Sequence, residues 1–165
     1  MAEKYIASVT LEGVRLRYPN FSGRKSEFNL TGKRIFDVVL PTDVAHDLQD
    51  KGWTIKWPKP FNDEDVPEPR IEVTVRFEGK PPHIALITGR GQSDLDRNTV
   101  AILDSVVMLN VDLTINPYYW SIGGKEGYRA YLEEMYVTIE ESRLQQKYAD
   151  VPRIHQEADD DITED

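Results

Sequence analysis

Two long alternating segments around a glycine-rich break constrain this chain most. From Leu109 to Ile122, apolar residues recur at every second position, with Leu109, Val111, Leu113 and Ile115 on one face. Gly123-Gly124-Lys125-Glu126-Gly127 interrupts the pattern, and Tyr128 to Ile139 resumes it. A period of two sustained this long fits a strand and not a helix. The pair therefore predicts a long β-hairpin. The apolar parity shifts at Glu133-Glu134, which predicts a bulge in the returning strand.

Other segments read the same way. Arg70 to Phe77 places Ile71, Val73, Val75 and Phe77 inward, and Glu72, Thr74 and Arg76 outward. Ile6 to Tyr18 predicts a first strand, with Val14, Leu16 and Tyr18 on one face and Arg15 and Arg17 on the other. Gly13 within it predicts a bend. Residues 19–32 form a Pro/Gly/Asn/Ser loop, and Lys33 to Leu40 a second strand. A short helix opens at Pro41-Thr42-Asp43 and closes at Gly52. Trp53 to Trp57 reads as a short strand, stopped by Pro58 and Pro60. An acidic, Pro-rich loop covers 58–69. His83–Thr88 is a strand, 89–98 a polar loop, Thr99–Asp104 a brief helix and Glu141–Tyr148 a short terminal helix. About six or seven curved strands with small helices predict a mainly β fold, a closed or partly open barrel.

Charge is segregated along the chain. Of 165 residues, 20 are Lys or Arg and 29 are Asp or Glu, a net charge of -9. Residues 150–165 hold seven acids and one base, so -6 of that total lies there. Almost nothing in this stretch can be buried, which predicts a disordered acidic tail following a domain at 1–149. Gly13 to Arg34 carries six bases (Arg15, Arg17, Arg24, Lys25, Lys33, Arg34) against Glu27, interleaved with Tyr18, Phe21 and Phe28. Lys51, Lys56 and Lys59 alternate with Trp53, Trp57 and Phe61. Tyr118, Tyr119, Trp120, Tyr128 and Tyr131 lie beside Lys125 and Arg129. Cations beside aromatic rings suit single-stranded nucleic acid, where phosphates need charge and unstacked bases need flat partners.

Little else suggests chemistry. The chain has no cysteine, which excludes disulfides, thiol nucleophiles and Cys-based metal sites. His46, His83 and His155 lack metal-ligand spacing. Asp94 and Asp96 resemble a fragment of a calcium loop without its closing Glu. Gly89-Arg90-Gly91 opens no phosphate-binding helix, and no GxSxG elbow occurs. The expectation is a protein without catalysis, metal or cofactor. The start, MAEKYIASVT, lacks a charged region followed by an apolar run, so a cytoplasmic location is expected, with no membrane association. Two readings fit these features: a single-stranded nucleic-acid binder, or a β-barrel interaction or structural module whose aromatics are core. Nothing in the residues separates DNA from RNA. An exposed edge strand would also allow a homodimer.

The chain resembles phage-encoded single-stranded DNA-binding proteins. The resemblance is carried by NFSGRKSEFNLTGKRIFDVVL, GWTIKWPKP, LNVDLTINPYYWSIGGKEGYRAYLEEMYVTIEE and the KYAD step before the tail. It implies an OB-fold-like curved barrel that coats DNA during phage replication or recombination in the infected host's cytoplasm. Phosphate contacts are expected from Arg15, Arg17, Arg24, Lys25, Lys33, Arg34, Lys56 and Lys59, with Lys125 and Arg129 added by the hairpin. Trp57, Trp120, Tyr118, Phe21 and Phe28 are the expected stacking residues. Strand parity favours Trp120 for DNA and Tyr119 for the core. Trp53, Tyr5, Phe36, Phe77 and Tyr136 are assigned to the core, and Tyr128 and Tyr131 to neither. The tail residues Glu157, Asp159, Asp160, Asp161, Ile162, Glu164 and Asp165 are expected to recruit replication or recombination proteins, or to compete with DNA. The chain departs from many relatives in ending Thr163-Glu164-Asp165 without a terminal aromatic, leaving Ile162 as the only apolar residue near the end.

Overall fold

The structure, a computed structural model, describes residues 6–27, 29–59, 68–140 and Val151. Tyr5, Phe28, the loop acids Asp63, Glu64 and Asp65, the helix expected at 141–148 and the tail residues 157–165 lie outside the described residues. The elements are β1 (Val9–Leu11), β2 (Arg15–Asn20), β3 (Ile35–Val39), α1 (Thr42–Asp50), β4 (Arg70–Thr74), β5 (His83–Thr88), β6 (Gly91–Leu95), a 3₁₀ turn (Val100–Asp104), β7 (Met108–Ile122) and β8 (Lys125–Ile139).

The expected hairpin is the longest feature. β7 and β8 pair antiparallel from Ile122↔Lys125 to Met108↔Ile139 across a Gly123-Gly124 turn. The predicted bulge is present: Thr114 faces Glu134 and Ile115 faces Leu132, so Glu133 is the extra residue. A second irregularity lies between Met108 and Asn110. It reverses the parity at the start of β7, and Leu109, expected inward, is exposed whereas Met108 packs against the core.

The other edge of β8 is shared. Val73 and Thr74 of β4 pair parallel with Ala130 and Tyr131, and β5 pairs parallel with the segment from Glu134 to Thr138. The sheet then runs antiparallel from β4 to β3 to β2, and on the far side from β7 to β1. The hydrogen-bonded path β1-β7-β8-β4-β3-β2 is open. Its two ends are nonetheless consecutive in the chain, joined by Glu12, Gly13 and Val14. Gly13 has φ +60, a left-handed conformation that glycine adopts without a Cβ clash. Its N–H donates to Asp112 Oδ1 at 2.8 Å, and the N–H of Val14 donates to the Val111 carbonyl at 3.0 Å. The bend expected at Gly13 thus turns one strand segment across both ends of a curved, partly open barrel, the architecture expected of an OB-like fold.

Inside lie Phe36, Val38, Ile71, Val73, Leu113, Ile115, Ala130, Leu132 and Met135, all buried. Two expectations fail here. The loop expected at 89–98 contains β6, an edge strand exposed along nearly its whole length, so its GQSDL sequence has no apolar alternation to reveal it. Tyr18, expected beside Val14 and Leu16, is 69% exposed. The pairing of β2 with β3 shifts between Arg17 and Asn20, and Tyr18 takes φ +53, which turns its ring outward.

Phe21, expected to stack on bases, is instead core. It is fully buried, with its ring 5.1 Å from that of Phe36. The Asp104 carboxylate accepts the N–H groups of Phe21 and Ser22 at 2.8 and 3.0 Å, drawing the start of the basic loop onto the barrel. Phe21→Ala should therefore cost about 3–5 kcal/mol of folding stability, read as a lower denaturant midpoint at unchanged slope. A stability equal to that of the unmodified chain would contradict this placement.

Candidate nucleic-acid interface

The alternation that fills the core also builds an outer face. On β4, Arg70, Glu72 and Thr74 alternate with buried Ile71 and Val73. On β8, Arg129 and Tyr131 alternate with buried Tyr128, Ala130 and Leu132. Tyr118 and Trp120 follow the same outward parity on β7. The Tyr118 and Tyr131 rings are parallel, 2° apart in plane and 4.8 Å between centroids, and Tyr118 is 48% exposed. The Arg129 guanidinium lies 5.8 Å from the Trp120 ring, and Trp120 Nε1 donates to Thr54 Oγ1 at 3.1 Å.

The basic loop forms a finger at one end of this face. Gly23 and Gly32, both left-handed at φ +75 and +74, bring the two arms into contact. A Cβ at Gly23 would sit 2.9 Å from the Gly32 carbonyl, so the neck admits no side chain there. The Asn29 side chain ties the finger together through the Arg24 carbonyl and both backbone groups of Lys33. Arg24, Lys25 and Lys33 are exposed and make no ion pair among the described residues. Arg34 differs: its Nη1 donates to the Phe21 carbonyl at 2.8 Å and its guanidinium covers the half-buried Phe77, so it braces the finger.

Between finger and hairpin runs a groove of about 390 Å³, whose lining includes the cations Lys33, Arg34, Arg76 and Arg129, the acids Glu72 and Glu78, and the Tyr131 ring. Arg76, Glu78 and Tyr131 also line a second groove that continues past Lys80 and Asn116 to Tyr118. Together these make a continuous path with guanidinium and ammonium groups along it and tyrosine rings in its wall. Cations of this kind hold phosphates whatever the sequence, and rings stack with any base. Among the described residues no cluster of His, Asp and Glu could hold a metal ion, and no helix is long and apolar enough to cross a membrane.

A family model of the phage ssDNA-binding domain matches residues 1–165. The chain belongs to this family. Two solved structures share its fold. The single-stranded DNA-binding protein from bacteriophage Enc34 in complex with ssDNA aligns at TM-score 0.53 and 14% identity, over 82% of this chain and 88% of that one. A second structure of the single-stranded DNA-binding protein from bacteriophage Enc34 gives TM-score 0.51 at 14% identity, over 82% of each chain. No curated protein sequence matches.

For this member of the phage family, the structure divides the expected site residues into groups. Arg24, Lys25 and Lys33 stand on the finger. Tyr118, Trp120, Lys125 and Arg129 stand on the hairpin. Arg15, Arg17 and Lys56 reach the outer face but are engaged by acids. The Arg17 guanidinium holds Glu68 at 3.2 and 3.3 Å, and Arg15 approaches the same carboxylate at 4.0 Å. Lys56 Nζ contacts Glu72 at 3.0 Å and the buried Asp37 at 3.2 Å. Burial would lower the Lys56 pKa, but Glu72 and Asp37 outweigh it and raise it. Trp57 turns towards α1, where its ring lies 4.6 Å from His46 and its Nε1 donates to Gln49 at 3.0 Å, leaving it 38% exposed. Lys59 is exposed. Trp53 is buried as expected, and Tyr119 is half-buried, bonded to Glu126.

Several groove residues went unassigned in the sequence. Arg76 already carried the signal, as an outward residue of a clean alternation. Tyr131 had the outward parity of Arg129. Lys80 in a turn offered none.

The Arg17 hydrogen bond, with Arg70 adding to it, holds the Glu68 carboxyl below the usual range. A lowered folded pKa means the stabilisation is present above the ordinary Glu value and is lost as pH falls through the lowered one. Glu68→Gln should thus be slightly less stable than the unmodified chain at neutral pH, and the difference should close in acid. A difference independent of pH in parallel denaturation curves would contradict the ion-pair assignment.

Proposed function

We propose that this chain coats and protects single-stranded DNA, without sequence specificity, during phage DNA replication or recombination in the infected cell. The observation that carries this reading is the groove, where Tyr118 and Tyr131 stand in the wall and where Lys33, Lys80 and Arg129 make no ion pair among the described residues, while Arg76 lies 4.0 Å from Glu78. Arg24, Lys25, Lys33, Arg76, Lys80, Lys125 and Arg129 hold phosphates, and Tyr118, Tyr131 and Trp120 stack with bases. The mechanism is sequestration, with no bond made or broken. The body at 1–149 binds DNA. The acidic segment at 150–165 competes for the groove when DNA is absent and recruits replication or recombination proteins when displaced, as tethering gives it a local concentration of about mM.

Oligo-dT titrations test this reading. Tyr118→Ala should lose roughly 1–3 kcal/mol of affinity with an unchanged circular dichroism spectrum. Arg129→Gln should make the salt dependence shallower by about 0.7 in log–log slope. Both variants binding like the unmodified chain would place the DNA elsewhere. Removal of residues 150–165 should tighten binding at low salt, and unchanged affinity at every salt concentration would exclude competition by the tail.

A further inference from the structure

Three arginines converge on one carboxylate at the β2 edge of the outer face. Glu68 Oε1 lies 3.2 Å from Arg17 Nη2 and 4.0 Å from Arg15 Nη2. Its Oε2 lies 3.3 Å from Arg17 Nε and 3.1 Å from Arg70 Nη1. Asp37 shares Arg70 at 3.1 Å, but Arg15 has no ion-pair partner other than Glu68 among the described residues, and its side chain is 65% exposed. With Lys56 and Glu72 counted, the network among the described residues therefore holds four cations against three carboxylates even with Glu68 in place. Guanidinium forks that hold a carboxylate this way hold phosphate oxygens equally well.

An unused aromatic stands beside this cluster. Tyr18 places its ring 5.1 Å from the Arg70 guanidinium and leaves 69% of the residue exposed. Its φ of +53 is unusual for a bulky residue and has an energetic cost. The backbone could avoid that cost by keeping Tyr18 in register on β2. Instead a pairing irregularity turns the ring out next to the anion clamp.

We propose that Arg15, Arg17, Arg70 and Tyr18 form a nucleotide subsite, taking one DNA phosphate on the arginines and the adjoining base on the ring, and that Glu68 occupies its phosphate position while DNA is absent. The proposal rests on the outer face being the DNA path. It adds a contact on β2, remote from the tyrosines of the hairpin, and a competitor built into the strand edge. Glu68 is well placed for this role. Its neighbour Pro69 is anchored by the Leu40 N–H at 2.9 Å, whereas its own side chain remains 31% exposed, beside an open groove along Gly13 to Arg15. A phosphate arriving along that groove exchanges with the carboxylate without disturbing the backbone.

The exchange has a thermodynamic signature. With Glu68 present, a phosphate displaces an internal carboxylate and few counterions are released there. With Glu68→Gln, the arginines gather counterions that DNA then releases. Glu68→Gln should bind oligo-dT several-fold more tightly at low salt, with a log–log salt slope steeper by up to about 0.7. Adding Arg15→Gln to Glu68→Gln should remove most of that gain. Tyr18→Asn, which tolerates the left-handed backbone, should weaken binding by about tenfold. If folded Glu68→Gln binds no more tightly than the unmodified chain, Glu68 is not a competitor and the proposal fails. Tyr18→Asn binding at full strength would remove the base contact and equally overturn it. Should the unmodified chain itself not bind oligo-dT, the functional reading falls first and this subsite with it.

Discussion

Strand β8 is hydrogen-bonded along both edges, and the rest of the molecule is arranged around that fact. One edge takes β7 over the whole hairpin. The other takes β4 near Ala130 and β5 beyond the Glu133 bulge. The bulge lies between the two partners, where extra twist lets the sheet fork. Because β4 joins there in parallel, Arg129 and Tyr131 face outward beside Thr74 and Arg76. Pairing through β8 thus buries the apolar face of each strand and lays the cations and rings of three strands along one groove.

The outer face is basic without being simply positive. Its centre, around Asp37, Glu68 and Glu72, holds Arg15, Arg17, Lys56 and Arg70 in ion pairs. Its ends, the finger and the hairpin, present cations without acidic partners among the described residues. Exposed ion pairs contribute little to stability. On the proposed DNA path they would decide where phosphates settle first. A polyanion reaching this surface meets free charge at the two ends and competed charge between them.

How much of this could be read from the sequence depended on range. The hairpin, its bulge and the bend at Gly13 are local patterns, and the letters around them revealed them. Leu109 and Tyr18 were misplaced because a register irregularity moves a side chain to the other face without changing the letters around it. β6 was missed because an edge strand exposed on both faces needs no alternation. Phe21 was taken for a stacking residue because its burial depends on Asp104, far along the chain. The neutralised arginines were hidden for the same reason, since nothing near Arg17 points to Glu68.

The central claim is that DNA runs over the outer face of β4, β8 and β7 and against the finger. Backbone amide hydrogen exchange, with and without oligo-dT, tests it most directly. The account predicts added protection in the finger at 22–34, in Thr74 to Lys80 and in the hairpin from Asn116 to Tyr131, with the β5–β6 hairpin unchanged. Protection confined to β5 and β6, or none in the finger and hairpin at saturating DNA, would contradict it.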